Sequence, residues 1–237
     1  MKPKLSVIMP MYNERNIYNN LKEAVKIFDE FKINYEIIVV DDGSTNNCLK
    51  EAKRIKSKKI KIVGYKKNKG KGFALKYGFD FVNGDYVAFV DADLELNPRQ
   101  LKDYLRIIEE KNADIVIGSK RHPLSKVSYP ITRRILSRAY QRLIKILFNL
   151  DVKETQVGLK LFRFEALKKI FPKIVVKRFA FDLEILVNAN KLGYKVVEAP
   201  IEIVYKFRSA INLKEIFWIL IDTAAIFYRL KILRYYD

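Results

Sequence analysis

Phe89 to Pro98 reads FVDADLELNP. An apolar run, Tyr86 to Val90, stops abruptly at Asp91-Ala92-Asp93, and Glu95 follows two residues later. In an extended segment, residues separated by one point the same way, so the carboxylates of Asp91 and Asp93 can face a single ion. Like charges that close repel unless they are well solvated or share a cation. Oxygen-only ligands suit Mg2+ or Mn2+, which keep waters and bridge to phosphates. The competing reading is an exposed acidic turn that caps the helix near Pro98; it accounts for one carboxylate and leaves the others unexplained. The stretch therefore reads as a buried strand ending in a metal site, with a diphosphate as the cation's other ligand.

Working outward, strand and helix signals alternate. KLSVIMP, YEIIVV, KIKIVGY, DYVAFV and ADIVIG read as strands. Between them, residues 14–31, 46–57, 71–82 and 98–111 read as helices. Short apolar strands separated by helices predict an α/β fold, a mainly parallel sheet with helices on both faces. Ligands of such sheets bind beyond the carboxyl ends of the strands, and the conspicuous polar clusters all fall there.

After the first strand come Pro10-Met11-Tyr12-Asn13-Glu14, an aromatic face and polar side chains at a helix start. Helix capping by Asn13, with Glu14 in the first turn, is the competing account. After the second strand, Asp41-Asp42-Gly43-Ser44 offers carboxylates to a base N–H or to ribose hydroxyls; a turn with a cap competes. After the third, Lys66 to Gly72 is a cationic loop opening a helix, suited to phosphate oxygens or simply solvated. Its spacing matches neither a P-loop nor the GxGxxG fingerprint.

The chain has 237 residues, of which 49% are hydrophobic, enough for one sizeable core. The single cysteine, Cys48, excludes an internal disulfide framework and fits a reducing compartment. Lys2-Pro3-Lys4 leads straight into a strand, so no signal sequence is expected. A net charge of +19 points to a polyanionic partner, with a Lys-rich thermophile composition as a partial alternative. Nucleic acid is disfavoured, because carboxylates occupy the strand ends where it would have to lie. His122, the sole histidine, reads as a loop residue.

In order, PMYNE, VVDDGS, NKGKGFALKYG, FVDADLELNP and VIGSK resemble the GT-A (Rossmann-like) domain of family 2 glycosyltransferases. The likeness covers about the first 120 residues. ETQVGLKLFRFEAL (Glu154 to Leu167) and KRFAFDLEILVNANKLGYKVVEAPI (Lys177 to Ile201) resemble the dolichyl-phosphate sugar synthases, closer to the glucosyl than to the mannosyl branch. Glu154 stands where that pattern has Asp, and Lys120 where it has Arg, a change that loses a bidentate fork which adjacent Arg121 can supply.

The resemblance implies an inverting transfer of a hexose from UDP-glucose or GDP-mannose to a dolichyl or polyprenyl phosphate, assisted by Mg2+ or Mn2+. It implies that Pro10, Tyr12, Glu14, Val40, Asp41, Asp42 and Lys71 hold the donor, and that Asp91, Ala92 and Asp93 bind donor and metal, with Glu95 as a further ligand. Lys120, Arg121, Arg208 and Lys214 would face phosphates, and Arg133 and Arg134 the acceptor phosphate. Asp182 sits where enzymes acting on hydroxyl acceptors place a base. A phosphate acceptor is already anionic and needs no strong base, so Asp182 there would orient a hydroxyl or a basic group. Transfer to a hydroxyl of a polysaccharide, protein or diphospholipid glycan is the alternative.

A lipid acceptor requires contact with the bilayer. Pro130 to Leu150 patterns as an amphipathic helix with Arg133, Arg134, Arg138, Arg142 and Lys145 beside a wide apolar face. Leu213 to Asp237 is apolar and aromatic, but Glu215, Asp222 and Arg229 interrupt it seven apart. Spanning a bilayer takes about 20 mainly apolar residues, so neither segment is expected to cross. The expectation is a catalytic domain over residues 1–210, an amphipathic insertion at 130–150, and interfacial helices over 211–237. That describes a peripheral enzyme on the cytoplasmic face, held by these segments or by a partner membrane protein.

Overall fold

The structure, a computed structural model, describes residues 3–127, 131–178, 180–203 and 213–237, with backbone alone at 131–134 and 213. Apolar residues alternate along the first two strands, β1 (Leu5–Met11) and β2 (Tyr35–Asp42). Val7 and Met9 with Ile37 and Val39 enter one core, Ile8 with Ile38 and Val40 the other. A strand buried on both faces is what a parallel sheet covered by helices requires.

On the first side lie α1 (Ile17–Asp29), α2 (Cys48–Ala52) and α4 (Leu101–Glu110). On the second lie α3 (Lys71–Phe79), α5 (Ile131–Phe148), α6 (Phe164–Ile170), α7 (Phe181–Lys191) and α8 (Leu213–Lys231). The remaining strands are β3 (Ile60–Tyr65), β4 (Tyr86–Phe89), β5 (Ile115–Ser119), β6 (Lys126–Val127), β7 (Lys160–Arg163), β8 (Val196–Pro200) and β9 (Glu202–Ile203). The main sheet runs β3-β2-β1-β4-β7-β5-β8, and β6 pairs with β9 apart from it. All pairs are parallel except those of β7, which lies antiparallel between β4 and β5.

The expected strands and helices all form, with shorter helices. α1 begins at Ile17 rather than at residue 14, because Asn13 holds a positive φ and its side chain is engaged elsewhere. The acidic segment after β4 is a turn and not the extended run expected, because Leu94 N–H donates to the Asp91 carbonyl (3.1 Å) and Leu94 takes a positive φ. A 3-10 turn, Pro98–Gln100, follows, in which the Asn97 side chain accepts from the N–H of Arg99. β7 has no counterpart in the alternation pattern, since Lys160 breaks its apolar run.

No helix among the described residues is long and apolar enough to cross a membrane. α8 docks through Ile226, Phe227 and Leu230, with Phe227 against Phe148 of α5, and through polar contacts to α7 and α5. Arg229 donates to Glu184 (3.1 Å), Ala180 N–H approaches Asp222 (3.5 Å), and Thr223 shares a hydrogen bond with Tyr140 (3.0 Å). Phe217, Trp218, Leu220, Ile221 and Tyr228 are left on its exposed side.

Candidate active site

β1 and β2 run in register, with Pro10 opposite Val40 and Met11 opposite Asp41, so the loops that follow both strands emerge at one edge. Asn13 ties them together. Its side-chain oxygen accepts from the backbone N–H groups of Thr45 (2.8 Å) and Asn46 (3.2 Å), and its own N–H donates to Ser44 (3.0 Å). Asn13 therefore caps the neighbouring loop and not its own helix. Glu14 accepts from the N–H of Asn16 (2.8 Å).

Asp42 is nearly buried and fully engaged. Tyr65 O–H (2.8 Å) and Lys69 N–H (2.7 Å) donate to one carboxylate oxygen, and the Asn68 amide (2.9 Å) and Gly70 N–H (3.0 Å) donate to the other. Burial, and then the facing Asp42, raise the Tyr65 phenol above its ordinary value. The basic loop is thus folded onto Asp42. Gly70 has a φ of 99°, and a side chain there would strike Lys177 and Arg178, so the loop packs against the α7 approach.

This loop, the β1 edge and the end of β4 enclose a cavity of about 710 Å³. Of the expected residues, Pro10, Tyr12, Glu14, Asp42, Lys71, Asp91, Ala92 and Asp93 line it. Tyr12 is half exposed, with its ring available for stacking. Lys71 forms an ion pair with Asp91. Desolvation alone would lower the Lys71 ammonium, but Asp91, Asp182 and Asp93 outweigh it and hold its pKa above the ordinary value. The Asp93 carboxyl is held above its ordinary value by desolvation and then by repulsion from Asp91, against the Glu95 N–H and Lys71.

Several expected residues lie elsewhere. The Val40 side chain is buried in the core, where a side chain added at Gly78 would meet it. Asp41 accepts from Ser44 N–H (3.1 Å) and lines a neighbouring cavity of about 450 Å³ with Gly43, Ser44 and Lys66. Glu95 is not among the residues lining the larger cavity. Arg121 follows β5, and its guanidinium donates to Ser137 on α5 (3.0 Å). Lys120, beside it, is half-buried. His122 shapes the loop by accepting from Leu124 N–H (3.3 Å). Lys214 occupies the first turn of α8, whereas Arg208 and the side chains of Arg133 and Arg134 lie outside the described residues.

Sequence reasoning missed three contributors. Lys160, fully buried on β7, forms a 2.9 Å ion pair with Asp182 in the first turn of α7, and its ammonium also donates to the Val157 carbonyl. Gly158 packs directly on the Asp91 carboxylate. Glu215 of α8 lines the cavity, although its seven-residue spacing with Asp222 and Arg229 marked it only as part of a stripe. Lys160 could be found from the sequence only as a charge inside an otherwise apolar strand.

The donor set fits a hard divalent cation. Asp91 and Asp93 offer oxygen alone, and Mg2+ or Mn2+ needs only one or two carboxylates when phosphates and water complete its shell. Among the described residues no group of three or more His, Cys, Asp or Glu could hold an ion unaided.

A mainly parallel sheet with one antiparallel insertion, and acidic residues at the mouth of β4, is a GT-A fold. Glucosyl-3-phosphoglycerate synthase from Mycobacterium tuberculosis, solved with Mn2+, uridine diphosphate and phosphoglyceric acid, superposes with a TM-score of 0.71 at 18% identity, covering 95% of this chain and 78% of that one. S. aureus TarS 1-349 in complex with UDP-GlcNAc gives 0.58 at 19% identity, over 94% and 66%. Residues 6–171 match Glycosyl transferase family 2, and the chain belongs to that family. Among curated proteins, the dolichyl-phosphate beta-glucosyltransferase of Dictyostelium discoideum is 34% identical over 83% of this chain and 65% of its own length. That of Saccharomyces cerevisiae is 33% identical over 83% and 66%. The chain therefore spans just under two thirds of the length of these relatives.

Proposed function

We propose that the protein transfers a hexose from a nucleotide sugar to a dolichyl or polyprenyl phosphate at a membrane surface, with inversion at the anomeric carbon. The observation that carries this reading is the juxtaposition of Asp91, Asp93 and Lys71 in one cavity at the carboxyl ends of the strands. Tyr12 would stack on the base, and Glu14 would bind the nucleoside. Lys71 would place its ammonium on the diphosphate, released from Asp91 as the donor arrives. Asp91 and Asp93 would hold Mg2+ or Mn2+. When bound, that cation would neutralise charge developing on the leaving diphosphate. UDP-glucose is the first candidate donor, since both named relatives are glucosyltransferases, and GDP-mannose the second.

Lys120 and Arg121, with Arg133, Arg134, Arg208 and Lys214, would receive the acceptor phosphate. An anionic phosphate oxygen attacks without losing a proton, so no base is needed. The ion pair of Asp182 with Lys160 supports this assignment, because a carboxylate held by a buried ammonium is better suited to orientation than to proton abstraction. Transfer to a hydroxyl acceptor would instead require Asp182 as base.

α8 supports the membrane-surface reading. Beyond the apolar residues it packs on the core, α8 keeps a second apolar side, Phe217, Trp218, Leu220, Ile221 and Tyr228, facing out, which a helix in contact with water alone would not carry. Exposed Phe217, Trp218 and Tyr228 suit interfacial depth. On this reading residues 1–210 form the catalytic domain, with 130–150 and 211–237 as surface anchors on the cytoplasmic face, alone or with a partner membrane protein.

The test is product formation from a panel of radiolabelled nucleotide sugars with polyprenyl phosphate in detergent, with Mg2+ or Mn2+, for wild type and Asp93→Ala. Metal-dependent transfer of one sugar into the lipid phase, lost in the variant, is expected. Nucleotide binding with no lipid-phase label from any donor would overturn the reading.

A further inference from the structure

A second cleft, of about 230 Å³, lies between α5 and the segment that follows it. Its walls carry five cations, Arg121, Arg138, Arg142, Lys145 and Lys153, against one carboxylate, Asp151. Arg138, Arg142 and Lys145 are spaced four and three residues apart, so they share one face of the helix. Like charges gathered this closely repel, and an anion among them removes that cost.

Gln141 lines the same cleft while only 8% exposed, and its amide oxygen has no hydrogen-bond partner. Its amide nitrogen donates to Thr155 Oγ1 (3.0 Å). A threonine hydroxyl can also donate, so the amide can turn either end to the cleft. The oxygen would take a ligand hydroxyl, and the NH2 would take a phosphate oxygen.

What adjoins the cleft narrows the ligand. Ile135, Leu136, Leu143 and Ile146 are exposed on the same helix, Ile146 to 81%. At about 100° per residue their stripe runs alongside the cationic one. A small soluble phosphate would have no use for that stripe, whereas a phospholipid would lay its chains against it.

We propose that this cleft is a headgroup site for an anionic phospholipid other than the acceptor lipid, held by side chains that the acceptor assignment does not use. Arg138, Arg142 and Lys145 hold the phosphate, and Gln141 meets the headgroup. The site rests on the membrane-surface reading given above and adds lipid selectivity to it.

The experiment is vesicle co-sedimentation of the full chain, without donor or acceptor, on phosphatidylcholine alone and on phosphatidylcholine with phosphatidylglycerol. Three forms are compared with wild type: Arg138→Gln/Arg142→Gln/Lys145→Gln, its charge-preserving counterpart Arg138→Lys/Arg142→Lys, and Lys22→Gln/Lys26→Gln/Lys50→Gln as an equal charge loss on α1 and α2. At on the order of 1 kcal/mol per surface cation, the first variant should lose about 100-fold of its partition onto anionic vesicles. The α1/α2 variant should stay within about threefold of wild type, and the lysine variant should fall between. Circular dichroism confirms that each is folded.

Equal weakening by the cleft and α1/α2 variants would show diffuse charge and overturn the site. Wild-type binding by the cleft variant would overturn it too, while leaving the membrane reading intact. Failure of wild type to bind either vesicle would overturn both. Calorimetric titration with inorganic phosphate gives the remaining arm. Phosphate binding lost in the cleft variant while vesicle partition is unchanged would assign the cleft to a soluble phosphate and overturn the lipid assignment.

Discussion

Lys160 Nζ lies 2.9 Å from Asp182 Oδ1, with the lysine side chain 1% exposed and the aspartate 14%. An ammonium this deep is stable only with its counter-charge in place. The Lys160–Asp182 pair also links β7 to the start of α7, and Asp182 is close enough to raise the pKa of the Lys71 ammonium of the cavity. Removing one partner should be worse than removing both. Lys160→Met is expected to lose about 3–5 kcal/mol of stability, whereas Lys160→Met/Asp182→Leu should recover most of it. Urea unfolding of the two variants provides the comparison.

The same pair makes a kinetic prediction. If Asp182 orients neighbours and takes no proton, Asp182→Asn should reduce kcat by about tenfold or less with a polyprenyl phosphate acceptor. A general base contributes about 10²–10⁴-fold, so a loss in that range would move the assignment to a hydroxyl acceptor.

Desolvation, and then repulsion from Asp91, push the Asp93 carboxyl upward. Asp93→Asn keeps the shape and removes the charge. It should reduce transfer by at least about 100-fold, the scale of losing a dedicated electrostatic contact to the transition state. Chelation of divalent metal should abolish wild-type activity and add little to the loss in the variant. Full activity after chelation would exclude the metal assignment of this cluster.

Legibility in the sequence followed periodicity. β1, β2, β4 and β5 were readable because alternate residues are apolar on both faces, and the acidic end of β4 was readable because carboxylates there have no packing role. β7 was not readable: four residues with a buried lysine satisfy no alternation rule, and their pairing depends on strands distant in the chain. Lys160 makes sense only once Asp182 is opposite it. Asp42 shows a different limit. Its place at a strand end marks it as a donor ligand and it does line the cavity, but nothing in the sequence signals that both of its oxygens also accept from the loop after β3. The glutamate at position 184 was equally opaque, since a charged residue in a helix reads as surface and this one is fully buried.

Glu184 joins three elements. It accepts from the N–H groups of Val175 (2.9 Å) and Val176 (2.7 Å), from Arg229 (3.1 Å), and from the Tyr236 hydroxyl. Glu184→Ala takes the counter-charge from Arg229 and the acceptor from the buried Val176 N–H and the partly buried Val175 N–H, and should cost about 3–5 kcal/mol. Tyr236→Phe removes one donor and should cost about 1–3 kcal/mol. Because these contacts anchor α8, limited proteolysis should cut residues 213–237 faster in both variants, Glu184→Ala more so.

Alkaline stability follows from the buried phenols. Burial first, with Asp29, Asp42 and Glu184 as hydrogen-bond partners, raises Tyr35, Tyr65 and Tyr236, and burial raises Tyr104. Burial also pushes Tyr140 up to about 12, net of the Thr223 hydrogen bond. Each folded-state value lies above the ordinary phenol value of 10.0, so the unfolded chain ionises first. Their stabilising effect is complete below about pH 10 and disappears as pH rises through 12 and beyond. Thermal melts from pH 8 to 12 should fall steeply only above about 10, and Tyr140→Phe should flatten part of that slope.

Gly158 gives the most local test. A methyl group there would overlap Asp91 Oδ2 and press on Lys71 Nζ, 3.3 Å away. Gly158 has no positive φ, so alanine is tolerated by the backbone and the clash falls on the side chains of the site alone. The Asp91 carboxylate must shift, which disturbs its ion pair with Lys71 and its placement beside Asp93 in the cavity. Gly158→Ala is therefore expected to lose transfer activity by about 100-fold while the melting temperature shifts by only a few degrees. Raising the metal concentration should recover part of the activity, because the weakened step is assembly of the site. Gly158→Ala with wild-type activity would mean that this placement of the Asp91 carboxylate is not what the reaction uses.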